Sequence, residues 1–216
     1  MNRTFSRGFT MIELLLVIAV IAVLATIAYP TFIGILERAR ATKDMNNLRQ
    51  IGIATQLYMN DNDGVLFSTT TSWMSQLHQT KYLSSWNVFQ SPFDTRPPSE
   101  LGDVSTPISY GINGTANLVG TSVDKISQPT IFILFAPAQA STATVTFQGT
   151  ALTGLPGVTV LQAASAPGGA ALGGTHSSRR KVNALFADLH LENMEWSVFT
   201  NTPAGSDPSV AQRWTP

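Results

Sequence analysis

Between residues 11 and 35 the chain carries one charge, Glu13, in a run otherwise dominated by Met, Ile, Leu, Val and Ala. That run exceeds the roughly 20 apolar residues that cross a bilayer as a helix. In lipid every backbone polar group must be satisfied internally, so a lone segment of this kind can only be helical. Left unpaired in lipid, Glu13 would cost about 2.5 to 3.5 kcal/mol if priced like Asp on an insertion scale. A charge kept at that expense implies a partner. One arises if the chain is cut after Gly8, because the new Phe9 amine would lie one helical turn from Glu13.

The segment Gly8-Phe9-Thr10-Met11-Ile12-Glu13 follows a short leader holding Arg3 and Arg7. In this context it resembles the processing site of type IV pilins and type II secretion pseudopilins. The resemblance implies that a membrane prepilin peptidase cuts after Gly8 and methylates Phe9. It also implies that subunits join a helical filament with Glu13 neutralised by a neighbouring subunit's terminal amine. The implied partners are the peptidase and methylase, related pilin subunits, the assembly machinery and membrane lipid. The filament would be a type IV pilus or a type II secretion pseudopilus. Two other readings compete. An ordinary signal peptide would use residues 14–25 as its core and Ala22-Val23-Leu24-Ala25 as its cleavage region. A plain membrane anchor would tolerate Glu13 at the interface. Glu13 inside the core, and helical patterning well beyond Ala25, speak against the signal peptide.

Thirteen basic and thirteen acidic residues give zero net charge, which does not favour nucleic acid as a partner. The leader arginines place the N-terminus in the cytoplasm and send the rest outward, and the resemblance implies that the membrane is the bacterial cytoplasmic one and the destination a periplasmic or surface filament. With no cysteine among 216 residues, the exported part is held by its core or by a bound ion. The division expected is a leader 1–8, an apolar helix 9–36, an amphipathic continuation 37–60, a globular domain 61–199 and an irregular tail 200–216.

Pro30 cannot donate to the Thr26 carbonyl, so a kink or loosening is expected near residues 26–30. In pilin-like proteins a proline commonly stands at this distance from the cut. After Leu36 the sequence turns amphipathic through residues 37–44, and Met45, Leu48, Ile51, Ala54 and Tyr58 then share one face at helical spacing. One helix from about residue 9 to about residue 59 is expected, roughly 75 Å long, with its second half packed on the globular domain. Asn60-Asp61-Asn62-Asp63-Gly64 should end it in a turn. A calcium loop there lacks the acidic ligands at both ends. Residues 57–64 also resemble the helix end of many pseudopilin-like proteins.

Further on, residues 73–83 suit a short helix, 89–98 with three prolines a loop, and 109–113 a strand closed by an Asn113-Gly114 turn. The stretch Ser109-Tyr110-Gly111-Ile112-Asn113 resembles one found in the same pseudopilin-like proteins. Residues 130–135, 142–147, 158–161 and 182–194 are further strand candidates. The fold class expected is α+β, a pilin-like lollipop whose long helix packs on a small antiparallel sheet. The Gly/Ala-rich stretch 165–178 reads as a loop. Thr175 stands where a phosphate loop needs lysine.

His176, Asp188 and His190 are the candidate metal ligands. On a strand Asp188 and His190 would share a face, and two imidazoles with a carboxylate suit zinc or a similar ion. A hydrogen-bonded His–Asp pair bracing a loop needs no metal, the spacing is not a diagnostic ligand motif, and no cofactor is expected. The stretch from His176 through Asn183-Ala184-Leu185-Phe186-Ala187-Asp188-Leu189-His190 resembles a signature near the end of many pseudopilin-like proteins, except that Leu189 replaces a Gly. Leucine disfavours a tight turn, so the strand is expected to continue through it. In the tail, Trp214 is expected to pack on the domain. No nucleophile context appears, so the chain reads as a substrate of enzymes and not an enzyme. The alternative is an exported, tethered or signal-cleaved metal-dependent enzyme or binding domain built on His176, Asp188 and His190.

Overall fold

The computed structural model describes residues 9–68, 72–94, 108–113, 120–140, 146–147, 174–178 and 180–200. The leader with Gly8, Gly114, residues 142–145, the strand expected at 158–161, the loop 165–173 and the tail with Trp214 lie outside the described residues. The chain divides into two compact units, Met1–Ala39 and Arg40–Pro216.

Helix α1, Met11–Asp61, contributes to both units. Within the first unit its apolar side chains, from Met11 to Leu36, are exposed. The helix continues through Pro30 without a break in its assignment. Thr26, which loses a backbone donor to Pro30, gives its own hydroxyl proton to the Val23 carbonyl at 2.7 Å. At the other end Gly64 takes φ +76° and donates to the Met59 carbonyl at 2.9 Å, the left-handed stop for which glycine has no steric penalty.

In the second unit, Leu48, Ile51, Ala54 and Tyr58 of α1 are buried, as their spacing predicts, and Met45 is half-buried. They join one core with α2 (Trp73–Gln79) and the sheets. Phe67, Trp73, Phe89 and Phe135 meet edge-on or tilted, with ring centroids 4.9 to 6.5 Å apart. Gln76 of α2 accepts from the Tyr58 hydroxyl at 2.7 Å and pairs with the Ser68 backbone in both directions, so its buried amide is satisfied.

Strands β1 (Val65–Leu66) and β3 (Thr121–Ser122) form a small antiparallel pair. The main sheet comprises β2 (Ile108–Asn113), β4 (Ile133–Ala140), β5 (Thr146–Phe147), β6 (Lys181–Phe186) and β7 (Leu191–Glu195), in the order β5-β2-β4-β6-β7. Helix α3, Trp196–Thr200, follows β7. The architecture is α+β, one long apolar helix followed by small sheets. The sheet is antiparallel except where β5 runs parallel to β2.

Two strand expectations need correction. The run at 130–135 enters the sheet only at Ile133 and then extends through Pro137 to Ala140. Pro137 is tolerated because it pairs with Tyr110 of β2 beyond the last β4–β6 partner, Phe135, where no ladder bond to β6 is required. Residues 182–194 form no single strand. They fold as the β6–β7 hairpin, with Lys181 opposite Glu195 and Leu185 opposite Leu191. The leucine at 189 does not prevent the turn. Leu189 adopts φ +70°, and its side chain lies against Gly52 of α1, a contact that offsets the left-handed strain.

Candidate functional site

The apolar helix begins with a reciprocal cap. The Thr10 backbone N–H and hydroxyl donate to Glu13 Oε2 at 2.9 and 2.7 Å, and the Glu13 N–H donates to the Thr10 hydroxyl at 3.3 Å. Two otherwise orphaned helix-start donors are thereby satisfied, the arrangement of a capping box. The signal for it is plain in the sequence: Thr, two residues, Glu, directly before an apolar run. Glu13 therefore has a partner within its own chain, one the cost argument alone does not identify. Both bonds end on Oε2, and Oε1 has no donor among the described residues. Phe9, next to the cap, is 80% exposed. By length and composition the helix can cross a membrane, and its apolar stretch is not buried among the described residues.

A second constellation sits inside the other unit, centred on Asp44 of α1, which is fully buried. Asp44 Oδ1 accepts from the Ser91 hydroxyl at 2.6 Å and the Tyr110 hydroxyl at 2.7 Å, and Oδ2 accepts from Asn183 Nδ2 at 2.8 Å. One carboxylate thus ties together the helix, the segment after residue 89, β2 and β6. Asn47, one turn onward, donates to the Gln90 carbonyl at 3.0 Å and lies 3.4 Å from the Tyr110 hydroxyl. Burial pushes the Asp44 carboxyl above its ordinary value, against the pull of the Ser91, Tyr110 and Asn183 donors and of His176. Burial, followed by the charge of Asp44, pushes the Tyr110 phenol well above its usual value, so it remains a donor.

Asp44 is not among the residues singled out by type. Its spacing was the available signal: it stands four residues before Leu48 and seven before Ile51, on the buried stripe. An acidic residue in that register must either be solvated at an edge or find donors inside.

His176 belongs to this cluster and not to the other two candidate ligands. It is buried, its ring stacks on Phe93 at 5.5 Å, its Nδ1 lies 2.9 Å from the Thr175 hydroxyl, and its Nε2 lies 2.6 Å from Asn193 Nδ2. Gly174 holds the backbone there: a Cβ at this position would stand 2.4 Å from the Lys181 carbonyl oxygen. Asp188 and His190 do come together, at the opposite, turn end of the hairpin. Asp188 Oδ1 accepts from the His190 backbone N–H at 3.1 Å and lies 2.5 Å from His190 Nδ1, and the imidazole stacks on Phe186 at 4.1 Å. This is a hydrogen-bonded His–Asp pair bracing the turn. The three residues do not converge, because β6 and β7 hold His176 at the strand ends and the pair at the turn. Among the described residues, no three His, Cys, Asp or Glu side chains are grouped so as to hold a metal ion.

Comparison with known proteins bears on the N-terminal helix. Residues 3–29 match the family described as the prokaryotic N-terminal methylation motif. A stretch of 58 residues is 38% identical to the type IV major pilin protein PilA of Myxococcus xanthus, covering 27% of this chain and 26% of that relative. The match therefore spans about a quarter of the relative's length. No solved structure matches the chain significantly. The methylation motif and the likeness to a major pilin both fall on the N-terminal part of the chain, around the capped, exposed apolar helix, and it is there that the chain is similar to type IV pilins.

Proposed function

We propose that the chain is a structural subunit of a pilus-like filament, cut after Gly8, N-methylated at Phe9, and assembled through its apolar helix. The observation that carries this reading is the exposed apolar stretch of α1, which opens on an acid and coincides with the methylation motif. Before assembly the stretch resides in the cytoplasmic membrane, with the C-terminal domain outside. In the filament it packs against the same stretch of other subunits. Glu13 Oε1 then takes the amine of a neighbouring subunit's Phe9, while Oε2 stays with Thr10. The partners are the prepilin peptidase and methylase, other pilin subunits and the assembly machinery. The likeness to a type IV major pilin favours a type IV pilus over a secretion pseudopilus. The protein is a substrate of processing enzymes and has no reaction of its own.

N-terminal sequencing and mass measurement of the mature chain test this reading. A methylated Phe9 terminus is the expected result, and a terminus near Thr26 would favour signal-peptide cleavage instead. Glu13→Ala should be cut normally but enter filaments poorly. Filaments of undiminished yield would remove the pairing from the scheme.

A further inference from the structure

The buried Asn183 amide, the exposed Asn193 amide and the buried His176 imidazole form a hydrogen-bond chain whose direction is set at one end. Asn183 Nδ2 lies 3.1 Å from the Ala41 carbonyl and 2.8 Å from Asp44 Oδ2. The Ala41 carbonyl can only accept, so Asn183 must point its nitrogen toward the helix and its Oδ1 toward β7. There Oδ1 accepts from Asn193 Nδ2 at 2.7 Å, across the strand pair Asn183–Asn193. The same Nδ2 stands 2.6 Å from His176 Nε2. An amide nitrogen only donates, so Nε2 must be bare, and the ring proton sits on Nδ1 beside the Thr175 hydroxyl.

We infer that this link is a proton-sensitive latch: the observed contacts require His176 to be neutral with its proton on Nδ1, and a proton added at Nε2 breaks the contact with Asn193, loosening residues 174–178 from the β6–β7 hairpin. Turning amides over does not repair it. A flipped Asn193 sets its oxygen against Asn183 Oδ1, and a flipped Asn183 sets its oxygen against the Ala41 carbonyl.

The groups around His176 act in different directions. Asp44 of α1 attracts an imidazolium, and the Tyr110 phenol of β2, bonded to Asp44, stays neutral. Lys181 of β6 bridges to His176 through the backbone and is ion-paired with Glu195 of β7 at 3.3 Å. The Phe93 ring on the imidazole face carries no charge. Asp44 itself gains from acid, because burial holds its carboxyl above the ordinary value, so its contribution to pH dependence has the opposite sign; replacing His176 removes a charge that lowers it and leaves that sign unchanged.

The test uses the full chain in detergent micelles with 15N-labelled histidine, which gives only three imidazoles to resolve, His78, His176 and His190. Near about pH 7.5, His176 should show a protonated Nδ1 and a bare Nε2. On acidification toward about pH 5, protection of the Thr175, His176 and Lys181 amides, corrected for intrinsic exchange, should fall in the wild type by up to about tenfold per pH unit more than in His176→Gln. Glutamine offers Asn193 an acceptor that does not titrate in this range. A protonated Nε2 or an imidazolium near pH 7.5, or an equal acid response in the two chains, overturns the proposal. If His176→Gln fails to fold, the tautomer is still read on the unaltered chain, with the His176 signal assigned by replacing His78 and His190.

Discussion

Asp44 is stable inside the protein only because three donors from separate elements converge on it. Asp44→Ala leaves Ser91, Tyr110 and Asn183 without their acceptor, and unsatisfied buried donors cost about 1–3 kcal/mol each before relaxation. A loss of roughly 3 kcal/mol is expected, read by urea unfolding of the full chain followed by tryptophan fluorescence. The sign of its pH dependence follows from the raised carboxyl. The fold favours the protonated form, so this stabilising contribution is complete below the ordinary carboxylate range and is lost as pH rises through the elevated value. Asp44→Ala should remove that part of the profile, and an unchanged profile would place the proton elsewhere. At this scale the sequence was legible where a residue type carried its own signal. Glu13, alone in an apolar run, is the clearest case. Asp44 was hidden because residue type suggested solvent while only register suggested the core. His176 was visible as an imidazole but not as a member of this cluster, since its partners Asn183 and Asn193 are neutral amides with no charge to betray them.

Helix α1 was foreseeable almost to its ends, because apolar spacing, the stop at Gly64 and tolerance of Pro30 all concern local backbone geometry. The β6–β7 hairpin was not, since β6 is buried from Val182 through Phe186, on both faces, and so lacks the alternation that marks a strand end. Its turn relies on a contact distant in sequence. The notch at Gly52 receives Leu185 and Leu189, and a Cβ there would lie 2.9 Å from Leu185 Cδ2. Gly52→Val should therefore destabilise the domain by about 1–3 kcal/mol through overpacking, despite the gain from removing a helical glycine. A Gly52→Val, Leu185→Ala double variant should recover part of that loss in the same unfolding assay. If it recovers none, the notch does not seat the hairpin.

The two units differ in what each needs from its surroundings. The apolar helix of Met1–Ala39 is exposed among the described residues, whereas Arg40–Pro216 holds the buried core and the Asp44 cluster. A chain beginning at Arg40 should stay in aqueous solution without detergent and unfold cooperatively, and sedimentation with thermal unfolding checks this. Aggregation of that fragment would mean that the apolar stretch also supports the second unit. Composition and hydropathy sufficed to foresee the α+β class, because it depends on where apolar side chains occur. The strand order and the clustering of buried polar groups depend on which distant segments meet, and no spacing in one chain records that. At Gly174 the backbone runs so close to Lys181 that even a methyl group would force the two segments apart. The placement of the buried imidazole is therefore governed by a position that contributes no atoms to it, and a substitution screen blind to the fold would find position 174 as intolerant as His176 itself.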